Sequence, residues 1–463
     1  MRLFPGQEPQ LEEAEDAILA GDRAYESGTA RAALRHRSFR IVWTGTFASN
    51  IGTWMQTVAL GAFAIALTKT PAHPHGSTFF VALLQFVQLG PLLILASVGG
   101  LLADMIDRRK LIVATNLAQL FLALLLAWVA RSPHPETKVV LLVVLGLGIA
   151  NALTGAPLSS LLPTLVAKED LAGAVSLQSV QMNLSRVIGP VVGGLIFPVV
   201  HVWGIFAINA VTYLFAVAAI IAIPPVPKPP RTNEQGWHRL VGGFRVARED
   251  PLVSRLLLTM AAMSFFSLPF VGLFPSIAEN QLGLETKSSA YGILYACFGM
   301  GAALGAISVG TVFARCRKPT VARRSLVAFG LFLGVFGALG SAPPAYPTVI
   351  LLGFAYFCTV TCLSSTLQQH LEDSVRGRVM ALWIMSFGGT VPIGLLVFGK
   401  VADLSSLRVV LLSGAVFAIL LALVNDIQRV HDGVHATRYA AAGYPHRKGR
   451  LDELGKAEPD HAP

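Results

Sequence analysis

The chain has 463 residues, of which 13% are charged and 54% hydrophobic. Soluble domains carry about 25% charged residues, so this composition excludes an ordinary water-soluble protein of that size. The net charge of +10 does not point to nucleic acid, because the basic residues sit in short loops between apolar runs.

Residues 1–38 form a polar extension with acids at Glu12, Glu13, Glu15 and Asp16 and bases at Arg31 and Arg35. They contain no apolar core, so no cleavable signal is expected and the first span acts as the insertion signal. Apolar runs long enough to cross a bilayer, about 20 residues each, then follow near 39–67, 78–102, 111–130, 139–163, 171–198 and 203–223. These are spans 1 to 6. Residues 224–253 interrupt the pattern. A proline-rich spacer from Pro224 to Pro230 leads into Trp237, Leu240, Val241 and Phe244 at helical spacing, opposite Arg239, Arg245 and Arg248. That pattern predicts an amphipathic helix suited to a lipid surface. Spans 7 to 12 follow near 254–278, 289–312, 325–342, 347–369, 379–402 and 408–427, and residues 429–463 form a polar tail. The expectation is an all-α membrane protein with twelve transmembrane helices in two six-helix bundles, residues 39–223 and 254–428.

Basic residues orient the spans. One side holds Arg108, Arg109, Lys110, Lys168, the bases between Lys228 and Arg255, those between Arg315 and Arg324, Arg376 and Arg378; the other holds Lys69, Arg131, Lys138, Lys287 and Arg408. The richer side faces the cytoplasm, which places both termini there. The two halves echo one another. Glu169-Asp170 precedes span 5 and Glu372-Asp373 precedes span 11, and each span has a centre rich in Gly and Pro: Gly189-Pro190 to Gly193-Gly194, and Gly388-Gly389 to Pro392 and Gly394. Repeated halves with broken helices at matching places are the mark of a secondary transporter.

Chemistry concentrates in few places. Arg186 falls near the middle of span 5, where a charge costs a few kcal/mol or more and normally meets a wet cavity or a bonding partner. It is expected either to line a central cavity and attract an anionic or acceptor-rich part of the substrate, or to bond structurally to Asn side chains and backbone carbonyls. Gln178 lies on the same face. Asn50 and Trp54 share a stripe of span 1 with Thr46 and Thr57, and Gln85, Gln88, Asn151 and Trp383 add polar or aromatic groups on spans 2, 4 and 11. Unpaired amides are costly in lipid, so these face inward, as substrate lining or as links between helices. The loop after span 2 reads Gly99-Gly100-Leu-Leu-Ala-Asp104-Met-Ile-Asp107-Arg108-Arg109-Lys110. Gly100 permits close approach of a facing helix. Asp104 suits a helix N-terminus, and Arg108 can pair with Glu169 or Asp170. Such contacts form a cytoplasmic latch. The four cysteines, Cys297, Cys316, Cys358 and Cys362, read as small packing residues. No metal cluster, cofactor site or nucleophile–base set is apparent, so an enzyme is not expected.

The Asp104 loop resembles the signature loop of the major facilitator superfamily, a resemblance that implies span 11 beginning near Asp104, at Gly377-Arg378. Asn183 through Gly194 resembles the superfamily's antiporter motif, whose glycines receive a neighbouring helix, here span 8 with Gly299, Gly301 and Gly305. Together with Phe39-Arg40, Ser49 through Gln56 and Arg376 through Met380, these segments are similar to the enterobactin-exporter-like branch. That resemblance implies export of a siderophore- or drug-like molecule by proton antiport from the inner membrane, by a chain working as a monomer with lipid around it. Two departures stand out: span 4 lacks the buried Arg of drug antiporters, and the second-half loop from Gly310 to Lys318 has bases but no acid. A lysophospholipid-type translocator of the same fold and a non-transporting sensor are the alternatives.

Overall fold

The computed structural model describes residues 28–71, 76–225, 236–425 and Val430, leaving aside the side chains of 96–104, 236–242, Asp373, Ser374 and Gly377. Among the described residues all regular structure is helical. Span 1 is Arg37–Thr68, span 2 Thr78–Met105, span 3 Arg108–Arg131 and span 4 Thr137–Leu161. Spans 5 and 6 form one run, Leu171–Ala222, turned at His201, whose backbone (φ 58, ψ 171) is not helical. Spans 8, 9, 10 and 12 are Ser289–Gly310, Lys318–Ala338, Ala345–His370 and Leu407–Val424. Among the described residues eleven helices are long and apolar enough to cross a membrane, and the turn at His201 makes the longest of them two spans. Twelve membrane helices result, as the apolar runs predict. Span 9 starts seven residues earlier than expected because Pro319, in its first turn, is a favourable helix start.

The interruptions differ from those read in the sequence. Span 5 keeps helical torsions through Pro190 and Pro198. Span 7 is instead broken into Pro251–Phe266, Pro269–Gly272 and Phe274–Asn280. The breaks fall where Pro269 and Pro275 remove N–H donors and restrict the residue before them. The hydroxyl of Ser267 at the first break donates to Gly414 O (2.8 Å), tying the break to span 12. Span 11 (Asp373–Ile384 and Thr390–Leu404) loosens into a π-helical turn at Met385–Gly389, a local widening often found at functional positions.

Span 1 is the inner axis of the first six. Beyond Thr44 none of its residues is exposed. Polar side chains fix its neighbours: Gln181 of span 5 donates to Thr46 Oγ1 (2.7 Å) and Trp43 O (3.0 Å), and Asn209 of span 6 donates to Gln56 Oε1 (2.7 Å). Without water, each such amide must be satisfied between helices. The linker helix, Gly236–Glu249, lies against the start of span 11, where Gly243 meets Arg378 O. Val246 and Ala247 pack on the core of the last six spans, so this helix has a protein face besides any lipid face, although Phe244 is 60% exposed. Trp237, Arg239, Leu240 and Val241 lie outside the described side chains.

Asp250 caps span 7. Its Oδ1 accepts from Leu252 N (2.9 Å) and Val253 N (3.2 Å), and its Oδ2 faces His370 Nε2 at 2.6 Å. Burial pushes this carboxyl up, but His370 and the two N–H groups outweigh it and hold it below the usual carboxylate range. A lowered folded value stabilises above the unfolded value and is lost as pH falls through the folded one. Asparagine would keep the cap but not the charge facing His370, so Asp250→Asn is expected to cost about 1.5 kcal/mol at pH 7, the lower end for a hydrogen bond to a charged group. The gap to the native chain should close below about pH 4. Thermal unfolding of both proteins across that range checks it; a gap independent of pH would contradict the assignment.

Candidate functional site

Close helix crossings build the centre of the molecule. A Cβ at Gly189 of span 5 would stand 2.5 Å from Trp54 Cβ of span 1, and one at Gly299 of span 8 would stand 2.9 Å from Arg186 O. About two turns farther along span 5, a Cβ on Gly292 would lie 2.5 Å from Gly194 Cα and 2.7 Å from Pro190 O. These positions require glycine because backbones meet there. The expected pairing of span 5 with span 8 is therefore made by Gly292 and Gly299. Gly301 and Gly305 instead face Ile350 and Phe354 of span 10, and Gly193 faces Met55 of span 1.

Arg186 sits where spans 1, 5, 8 and 10 converge. Its guanidinium carbon lies 4.9 Å from the ring centre of Trp54 and 4.8 Å from that of Phe357. One ring comes from the first six spans and the other from the last six. Tyr295 and Tyr356 lie within electrostatic range. Nε is enclosed with no hydrogen-bond partner, and among the described residues Arg186 forms no ion pair. Of the two expected readings, bonding to Asn or backbone carbonyls finds no contact here. Two desolvated cation–π contacts contribute about 2 kcal/mol each, but rings leave the five N–H donors unused. A planar fork with unused donors suits an oxyanion bound through two parallel bonds.

The other lining residues do not all gather there. Trp54 does. Asn50 and Gln178 are half-buried and Asn151 is exposed. Gln85 is buried, and Gln88 Oε1 is buried without a partner. Trp383 is 7% exposed and belongs to the core of the last six spans. Thr46 is occupied by Gln181. Sequence reasoning missed Phe357, Tyr295 and Tyr356, which are aromatic positions inside apolar runs. The available signal was the two tyrosines, whose hydroxyls are out of place far from the membrane interfaces.

Contacts between the first and last six spans are uneven. Between described residues, the hydrogen bonds, ion pairs and close glycine contacts that join the two sets fall at mid-span or at the end distal from the termini. Asp403 of span 11 accepts from Ser77 Oγ (2.8 Å), Thr78 N (2.8 Å) and Phe79 N (3.2 Å) at the start of span 2. Lys69, after span 1, pairs with Glu279 of span 7. Gly61 meets Pro275, Gly399 meets Ala82, and Gly389 meets Leu93. A carboxylate on a helix N-terminus is favourable for both partners.

At the end bearing the termini, Gly100, Asp104 and Gly377 lie outside the described side chains. Arg108 does not reach Glu169 or Asp170. It donates to Ser160 O (2.8 Å), while Asp170 accepts from Gly28 N (3.0 Å) and meets His36 (2.8 Å). Arg109 donates to Ile220 O and Ile221 O, since the free carbonyls at the end of span 6 attract a cation. Both arginines thus bind within the first six spans. No metal-ligand group of three or more occurs among the described residues, and the four cysteines are free, Cys316 being exposed.

A family model described as transmembrane secretion effector matches residues 28–448. The enterobactin exporter of Shigella boydii serotype 4 is 27% identical over 75% of this chain and 81% of its own length. That of Escherichia coli O139:H28 is equally similar over the same shares. The solved nucleoside transporter NupG superposes with a TM-score of 0.67 at 13% identity, covering 85% of this chain and 99% of that one. A bacterial homologue of the iron transporter ferroportin, solved in an inward-facing state, gives 0.65 at 14%, covering 84% and 98%. With twelve membrane helices and a family match along most of its length, the chain belongs to the transmembrane secretion effector family of the major facilitator superfamily and is an enterobactin-exporter-like membrane transporter.

Proposed function

We propose that the protein exports a small anionic organic molecule, siderophore-like in character, across the bacterial inner membrane by alternating access between residues 39–223 and 254–428. The carrying observation is Arg186, a cation with no acid partner among the described residues, held between one ring from each of these two units. A mid-membrane charge is costly, and its retention between two units that move apart suits a ligand bound and released at that place. The distal clustering of cross-contacts supports the division into two bundles and corresponds to a state open toward the termini. Cytoplasmic termini rest on the placement of the basic residues. Proton antiport rests on the resemblance to exporters. The described acids near the span ends, such as Asp403 and Glu279, are where coupling is assigned, with Asp104 as the further candidate.

The test is uptake of enterobactin, the molecule named for the relatives, into everted vesicles carrying the protein. Uptake driven by an inside-acid pH gradient and abolished by a protonophore is the expected result. Uptake unaffected by the protonophore would remove the antiport step, and no uptake of any catecholate or carboxylate siderophore would overturn the substrate class.

A further inference from the structure

A second cationic site lies at the distal end, apart from Arg186. A cavity of about 850 Å³ opens between the end of span 1, the loop after span 3, the turn joining spans 5 and 6, and the loop before span 8. Lys69, Arg131, His134, His201 and Lys287 line it, and no Asp or Glu does. Of the bases on the sparsely charged side of the membrane, three therefore converge on one hollow. Like charges gathered in this way repel one another. Lys69 is neutralised by Glu279. Arg131 and Lys287 form no ion pair or hydrogen bond among the described residues; the Arg131 guanidinium lies 5.4 Å from the ring centre of Trp203.

His201 adds an independent sign. It alone of the described non-glycine residues has positive φ (58°, with ψ 171°), a region nearly confined to glycine. Such strain costs about 1–3 kcal/mol and concentrates at functional positions. It places a histidine on the rim where a glycine would satisfy the turn without strain. Phe63 and Phe197 supply an apolar floor beside the basic rim.

We infer that this vestibule binds an oxyanion, of phosphate or carboxylate type, attached to or lying beside an apolar group. The phosphate of an anionic lipid headgroup and a free anion share this chemistry. The inference does not depend on the transport reading. It makes the distal face an anion-binding surface, whatever passes through the centre.

The test uses the full chain in phosphatidylcholine nanodiscs, with the fluorescence of Trp203 taken as the difference between the native protein and Trp203→Phe. Inorganic phosphate is titrated in, and separate nanodiscs contain or lack phosphatidylglycerol. Arg131 and Lys287 are exposed, so Arg131→Gln with Lys287→Gln should fold normally. A saturable phosphate response, weakened about tenfold or more in the double variant, identifies a free anion. A response to phosphatidylglycerol alone, equally lost in the double variant, identifies the headgroup. No response to either probe, or one that survives in the double variant, overturns the site.

Discussion

Arg186→Ala is expected to abolish transport while the protein inserts and folds normally. Most buried charges destabilise when truncated because a paired group is left behind. Here no acid is left behind, since among the described residues Arg186 has no ion pair and Nε has no hydrogen bond. Alanine forfeits the contacts to Trp54 and Phe357 but also removes a charge held away from water, so the melting temperature should stay level or rise. The substrate loses a charge-assisted contact of about 1.5–3 kcal/mol, which corresponds to roughly 10- to 150-fold in affinity. Arg186→Lys should fall between, keeping the charge but losing the planar fork and its stacking. Binding and vesicle uptake, normalised to inserted protein, measure both variants. Native-level uptake by Arg186→Ala would remove the residue from the substrate path.

The second large effect is expected at Asp403. Both its oxygens are used at the start of span 2, and Asn offers one acceptor and no charge there. Asp403 is exposed, so water screens part of the interaction; about 1 kcal/mol is the upper expectation for the lost charge at an exposed helix end. That amount shifts the equilibrium between closed and open distal ends about fivefold. Spin labels at Ser132 and Ser405, in a background without the four cysteines, should report longer distances in Asp403→Asn. Labels at Lys168 and Arg315, at the other end, should report shorter ones. Unchanged distributions at both ends would show that the carboxylate does not hold the distal face shut.

The span count was legible because each crossing needs its own apolar run, and such runs survive in any context. Arg186 was legible for the complementary reason: a charge inside a run has no neutral explanation. What surrounds Arg186 was not. Phe357 is one aromatic among many, and only folding brings it across from the second half. Asp403 and Ser77 are 326 residues apart, and nothing local in either segment names the other. The break in span 7 was written in Pro269 and Pro275, but an apolar run reads the same whether its helix is straight or broken. The strain at His201 is a property of the turn between spans 5 and 6, absent from composition. The reach of Arg108 to Ser160 instead of the nearby acids reflects a rule that sequence spacing does not contain. Uncapped helix carbonyls compete with carboxylates for arginine.

The two six-helix units are expected to part at the distal end to release what Arg186 holds. Ser77→Cys with Asp403→Cys puts one thiol on each side of the contact in which Ser77 Oγ donates to Asp403 Oδ2. In a background lacking the native cysteines, oxidation of this pair is expected to stop export, and reduction to restore it to the level of the unlinked variant. Full export by the cross-linked protein would contradict the account.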